Sequence, residues 1–119
     1  MEKEQAISIR KKMGEYIATM DWKSIVTTKS DYVYVNYANA TRFSINICKG
    51  TFTLSECNYR PSTLLKVDGE DVSWNDNSDY SFCSNTVTLV RHWETIKKAI
   101  NKFYNEEKCI SEKINNFNA

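Results

Sequence analysis

The sequence has few of the residues that build tight turns and active sites. Its 119 residues include three Gly, one Pro and one His. A phosphate-cradling loop needs several glycines before a helix, and the isolated Gly14, Gly50 and Gly69 cannot supply one. One imidazole and four cysteines without Cys-x-x-Cys spacing make no recognisable zinc site. We therefore predict no metal site and no cofactor.

Long apolar runs are also missing. No run approaches the roughly 18 residues of a transmembrane helix, and the first thirty residues lack the apolar stretch of a signal peptide. We expect a cytoplasmic protein with free thiols that does not enter a membrane. Hydrophobic residues make up 41% and charged residues 26%, which is typical of one globular domain covering residues 1–119.

Charge is unevenly distributed although the formal net charge is only +1. Residues 61–85 carry five acidic groups and one basic group, whereas the rest of the chain has a small basic excess. The acidic residues are Asp68, Glu70, Asp71, Asp76 and Asp79. They lack the Asp-x-Asp-x-Asp-Gly order of a calcium loop. We interpret them as a hairpin rim that is either solvated or meets a basic partner, such as a nucleic-acid-binding surface.

Apolar residues recur at three- and four-residue steps between Glu2 and Met20, which predicts a first amphipathic helix. The stripe consists of Ile9, Met13, Tyr16, Ile17 and Met20, opposite polar Arg10, Lys11, Lys12 and Glu15. Gly14 weakens the helix by about 1 kcal/mol relative to Ala, which does not reverse the prediction.

After Asp31 the apolar period becomes two, which predicts strands. The predicted strands are Tyr32–Tyr37, Arg42–Cys48, Thr51–Ser55, Leu64–Val67 and Val72–Trp74, with a possible sixth at Tyr80–Cys83. Asp68-Gly69 is a hairpin turn signal between the fourth and fifth. The inward face of Tyr32–Tyr37 stays open, because a slip of one residue reverses it.

The Lys49-Gly50 pair predicts a two-residue turn and fixes the register of one hairpin. The facing residues are then Ile47 with Phe52, Ile45 with Leu54, and Phe43 with Glu56. In this register Cys48 and Cys57 lie at opposite ends of the hairpin, too far apart for a disulfide.

The last helix carries the longest pattern. Its seam consists of Leu89, Trp93, Ile96, Ile100, Phe103, Glu107, Ile110, Ile114 and Phe117, spaced alternately by four and three. The seam would be about 43 Å long, against about 35 Å for a compact domain of this size. The helix must bend, overhang the domain or meet a partner. We place its cap at Ser84, Asn85 or Thr86, after a polar loop at Asn75–Asp79, and 86–90 could be strand or helix.

Glu107 divides this helix into unlike halves. Val90, Ala99 and Tyr104 widen the stripe before it, whereas Ile110, Ile114 and Phe117 form a narrow strip after it. The narrow strip could pack on the chain's own helix or sheet, form a homodimer, or bind a foreign partner. The predicted fold is α+β: an antiparallel sheet of five or six short strands between an N-terminal and a long C-terminal helix, with the helices packed on one face.

No catalytic set emerges, so a non-enzymatic protein-binding module is the first functional hypothesis. The expected partner-binding residues are Asp68, Glu70, Asp71, Asp76, Asp79, Ile110, Ile114 and Phe117. The Asn-, Lys- and Ile-rich composition suggests a phage or mobile-element inhibitor of a bacterial defence complex. One alternative is single-strand nucleic-acid binding through Arg10, Lys11, Lys12 and the strand tyrosines Tyr32, Tyr34 and Tyr37, although we do not expect direct nucleic-acid binding. The other is an enzyme that uses a cysteine with His92, or a metal in the acidic loop.

Overall fold

A computed structural model of the chain describes residues 1–26, 33–36, 42–56, 62–75 and 78–119. Some residues of the predictions lie outside these ranges, namely Tyr32, Tyr37, Cys57 and Asp76. The described residues form an α+β fold with helices towards both termini and an antiparallel sheet between them, which confirms the predicted class.

The first helix, α1, spans Lys3–Ala18 and is followed by a short 3₁₀ turn at Trp22–Ser24. Its buried face consists of Ala6, Arg10, Met13, Gly14 and Ile17. A Cβ at position 14 would lie 2.4 Å from Cγ1 of Val72. Gly14 is therefore the residue that lets the helix approach the sheet closely.

The sheet is an antiparallel meander in which each strand pairs with the next along the chain. Its strands are β1 (Val33–Asn36), β2 (Arg42–Cys48), β3 (Thr51–Glu56), β4 (Ser62–Asp68) and β5 (Asp71–Ser73). The predicted β2–β3 register is confirmed, with Ile47 opposite Phe52 and Ile45 opposite Leu54. Lys49 and Gly50 both have positive φ, at 51° and 77°, as a two-residue hairpin of this type requires.

One face of the sheet forms the core. Its buried side chains are Phe43, Ile45 and Ile47 of β2, Phe52 and Leu54 of β3, and Leu65 and Val67 of β4. They pack with residues of all three helices, including Ile17, Leu89 and Ile100. Trp22 connects the sheet with α1. Its ring centroid lies 4.9 Å from that of Phe52 on β3, and its indole N–H donates to the Ile17 carbonyl of α1 over 2.9 Å.

The C-terminal helical region is broken at His92 into α2 (Asp79–Arg91) and α3 (Trp93–Asn115). The predicted strand at Tyr80–Cys83 is wrong, and so is the predicted cap at Ser84, Asn85 or Thr86. Helix α2 starts earlier, because the Ser78 hydroxyl accepts a hydrogen bond from the Ser81 N–H. This cap also places Asp79 in the first turn, where a carboxylate is favourable. Residues 86–90, four of which are β-branched, are helical.

Arg10 was predicted on the polar face of α1, and this prediction is wrong because the residue is fully buried. Its guanidinium donates to the Thr86 hydroxyl at 2.8 Å and to the carbonyls of Leu64 and Phe82 at 3.0 Å each. It also lies 4.0 Å from the centroid of the Phe82 ring. Burial lowers the pKa of Arg10 to about 10, so the group keeps its charge at neutral pH and ties α1 to β4 and α2.

Candidate functional site

The last turns of α3 extend beyond the body of the protein. Phe103 is buried and Ser111 is the last buried residue, whereas every residue from Glu112 to Ala119 is exposed. Ile110, Ile114 and Phe117 are 47%, 50% and 76% exposed. The region therefore both bends, at His92, and overhangs, as its length predicted. We call the segment Glu106–Phe117 the protruding end.

Three polar contacts fix the direction in which α3 leaves the body. The Tyr16 hydroxyl donates to Asn101 Oδ1 at 2.9 Å, and Tyr104 accepts from the Asp21 N–H at 3.2 Å. Further along, the Ser111 hydroxyl accepts from the Val26 N–H at 2.8 Å. Positions 101, 104 and 111 share one side of the helix, and Ile110 and Ile114 are rotated away from it at 100° per residue.

Ile110 and Ile114 are one turn apart on α3 and point in nearly the same direction, and Phe117 follows two residues after the end of the helix. The i, i+4 spacing of the two isoleucines is that of anchor residues in a helix that binds the apolar groove of another protein. Val26, which is 42% exposed and whose N–H binds Ser111, adds a fourth exposed apolar residue near this part of α3. The structure thus brings together the apolar half of the predicted site.

The predicted acidic site is divided. Asp68, Glu70 and Asp71 are exposed together at the β4–β5 turn, with Asp68 opposite Asp71 across the strands. Lys23, just after α1, binds the Asp68 carboxylate. This hydrogen bond and the charge of Lys23 lower the pKa of Asp68 below its usual value.

Asp79 lies away from these three carboxylates. It is bound to Lys3 at the start of α1, with 2.8 Å between Lys Nζ and the carboxylate, whereas Lys23 follows the other end of that helix. Helix α1 is 16 residues or about 24 Å long, so the two lysine-bound carboxylates lie towards opposite ends of it. Asp76 is outside the described residues. Within the described chain, the acidic residues do not form one continuous surface.

Without a metal, the enzyme hypothesis needs a cysteine beside His92. Among the described residues, the structure does not assemble such a pair. His92 lies at the junction of α2 and α3, with its ring centroid 6.4 Å from that of Phe43. Cys83 is nine residues earlier, about 13 Å along α2, and Cys109 is about 25 Å further along α3. Cys48 is at the other end of β2 from Phe43, about 16 Å away.

The described residues contain neither a metal-ligand cluster nor a membrane-spanning helix. No three His, Cys, Asp or Glu side chains in that part of the chain come close enough to hold a metal ion. None of the described helices combines the length and apolar character needed to cross a membrane.

The residues of the nucleic-acid hypothesis are only partly available. Arg10 is buried, while Lys11 and Lys12 are exposed. Tyr34 pairs with Ser44 in the β1–β2 ladder, and Tyr32 and Tyr37 lie outside the described residues. Of the three predicted cations on α1, two could therefore contact phosphates.

A groove of about 360 Å³ between α1 and the α2–α3 junction was missed from the sequence. Its apolar lining consists of Ile9, Met13, Tyr16, Val90 and Trp93, and its rim includes Lys12, Glu94 and Lys97. Val90 was predicted to widen the buried stripe, but it is 47% exposed because neighbouring Leu89 takes the inward position. The exposure of Val90 could have been predicted, since adjacent helical residues are 100° apart and Leu89 and Val90 cannot both face the core centre.

Comparisons with known proteins give this chain no relative: no family model, no curated protein and no solved structure matches it.

Proposed function

We propose that this protein is a protein-binding module whose main contact element is the protruding end of α3. The observation that supports the proposal is the exposure of Ile110 and Ile114 in the last turns of α3, and of Phe117 just after them. Exposed apolar residues grouped on one helical face typically mark interaction sites, whereas single ones do not.

The way in which α3 is held supports a docking role. Burial of Ile96, Ile100 and Phe103 and the hydrogen bond at Ser111 fix the helix up to the point where it leaves the body. A helix that is already formed loses less conformational entropy on binding than a segment that must fold first. The protruding end can therefore present Ile110 and Ile114 in a fixed direction.

The acidic turn is a secondary surface in this proposal. Glu70 and Asp71 are exposed, and Asp68 is engaged by Lys23. These carboxylates would assist association with a basic partner mainly through the association rate and its salt dependence. Inhibition of a bacterial defence complex is a more specific hypothesis, and it rests on the composition of the sequence alone.

The proposal is tested with two double variants of equal charge. Ile110→Glu with Ile114→Glu places two carboxylates in the apolar strip, and Cys109→Glu with Asn115→Glu places two at exposed positions of α3 outside that strip. The immobilised wild-type protein and both variants are used to capture partners from lysate, and a captured protein is then purified for calorimetry.

We expect the first variant to bind the purified partner at least about thirtyfold more weakly, because losing a central anchor typically costs about 2 kcal/mol or more. The control variant should bind like the wild type. Circular dichroism should show the same helix content in all three proteins. Equal partner binding by both variants, or capture of nucleic acid without any protein, would contradict the proposal.

A further inference from the structure

Two features of this chain are complementary, namely the groove between α1 and the α2–α3 junction and the protruding end of α3. The groove is lined mainly by apolar side chains, and Val90 is its most exposed apolar residue. The protruding end presents exposed Ile110 and Ile114 on a formed helix, followed by exposed Phe117. Amphipathic helices commonly bind in apolar grooves of this kind.

The charges around the two features are also complementary. Lys12 and Lys97 at the rim of the groove outnumber Glu94, and exposed Arg91 and Lys98 lie beside it on the same helices. The protruding end has the opposite balance, with three glutamates, Glu106, Glu107 and Glu112, and two lysines, Lys108 and Lys113. Complementary charges of this kind favour encounter and fix orientation more than they add affinity.

A molecule cannot fill its own groove. Val90 and Ile114 are 24 residues apart along α2 and α3, which corresponds to about 36 Å of helix. That length of helix is more than half of the protein's longest dimension, which is 55 Å. The protruding end therefore lies well away from the groove.

We propose that the protruding end of one molecule docks into the groove of a second copy, in a head-to-tail contact. This inference rests on the proposed function, because it uses the same helix end and names its partner. The contact is heterologous: the two molecules contribute different surfaces, so each dimer keeps one free groove and one free helix end. A helix of about ten residues buries less than the roughly 800 Å² per partner of a standard interface, so the association is weak and depends on concentration.

The test uses one variant of each surface. Val90→Glu blocks the groove, and Ile114→Glu blocks the protruding end. Val87→Glu and Cys109→Glu are their controls, because both residues are exposed on the same helices, Val87 outside the groove and Cys109 outside the strip of Ile110 and Ile114. Sedimentation velocity over a wide range of concentrations measures self-association, and circular dichroism checks that each variant is folded.

The wild type and both controls should associate increasingly with concentration, while Val90→Glu and Ile114→Glu should each stay monomeric. An equimolar mixture of these two variants should form a 1:1 complex that does not grow further, because only one intact groove and one intact helix end remain to meet. A symmetric contact between two identical helix ends would not give this restoration.

Three outcomes would overturn the inference. They are a wild type that stays monomeric, a Val90→Glu variant that still dimerises through two helix ends, and a mixture that does not associate. The proposed function is judged separately: a foreign protein captured through Ile110 and Ile114 by a monomeric wild type would support it while this inference fails.

Discussion

The two halves of α3 have the same apolar spacing and opposite surroundings. Ile100 and Ile114 are 14 residues apart and occupy the same position of the four-and-three repeat, yet Ile100 is fully buried and Ile114 is half exposed. Before Glu107 the seam faces the sheet and Trp22, and after Ser111 all sides of the helix face solvent. The comparison teaches that spacing selects one face of a helix but does not say what will cover it.

Replacing each of these two isoleucines with alanine tests this contrast directly, and the largest expected effect on stability is at Ile100. Ile100→Ala should lower the free energy of unfolding by about 3 kcal/mol, because it removes buried methylene groups and leaves a cavity. Ile114→Ala should lower it by less than about 0.5 kcal/mol in dilute solution, as is usual for exposed positions. Urea denaturation of the two variants gives both values, and equal losses would show that the protruding end belongs to the core.

A smaller effect is expected at the boundary between the halves. Ser111→Ala removes the acceptor of the Val26 N–H and should destabilise the protein by about 1 kcal/mol relative to Ser8→Ala. Ser8 is exposed on α1, so its replacement reports the gain in helix propensity alone. If the two variants unfold at the same urea concentration, Ser111 does not fix the point at which α3 leaves the body.

The smallest effect is expected within the packed half. Tyr104→Phe keeps the ring against Trp22, where the centroids are 5.0 Å apart, and removes only the oxygen that accepts from the Asp21 N–H. We expect a loss of about 0.5 kcal/mol in thermal or urea denaturation. Tyr80→Phe, at a residue that is 84% exposed, is the control and should leave stability unchanged.

Local patterns predicted the hairpin and part of the candidate site. The β2–β3 register followed from two turn residues and an alternation of period two, both of which act over a few residues. The division of the last helix at Glu107 followed from the width of its apolar stripe. Ile110, Ile114 and Phe117, chosen on that basis, are all exposed in the structure.

Two of the wrong predictions depend on distant residues, whereas the start of α2 depends on a local cap as well as on packing. The capping hydroxyl of Ser78 and the packing of Phe82 and Leu89 made a helix of a segment rich in β-branched residues. Arg10 was assigned to solvent by its charge, but Leu64, Phe82 and Thr86, which are 54 to 76 residues away, supply the oxygens that make its burial possible. The groove at Val90 requires two helices to be side by side, which no single periodicity describes.

The sequence by itself determined which faces are apolar, where the β2–β3 hairpin turns, and that the C-terminal apolar seam is too long for a compact domain. These properties depend on neighbouring residues and on fixed backbone geometry. Tertiary structure alone decided that Arg10 is buried, that Asp79 is separated from the acidic turn, and that the apolar seam is left uncovered beyond Ser111. Those outcomes depend on which distant oxygens, lysines and strands the fold brings near, and burial follows from such contacts rather than from residue type.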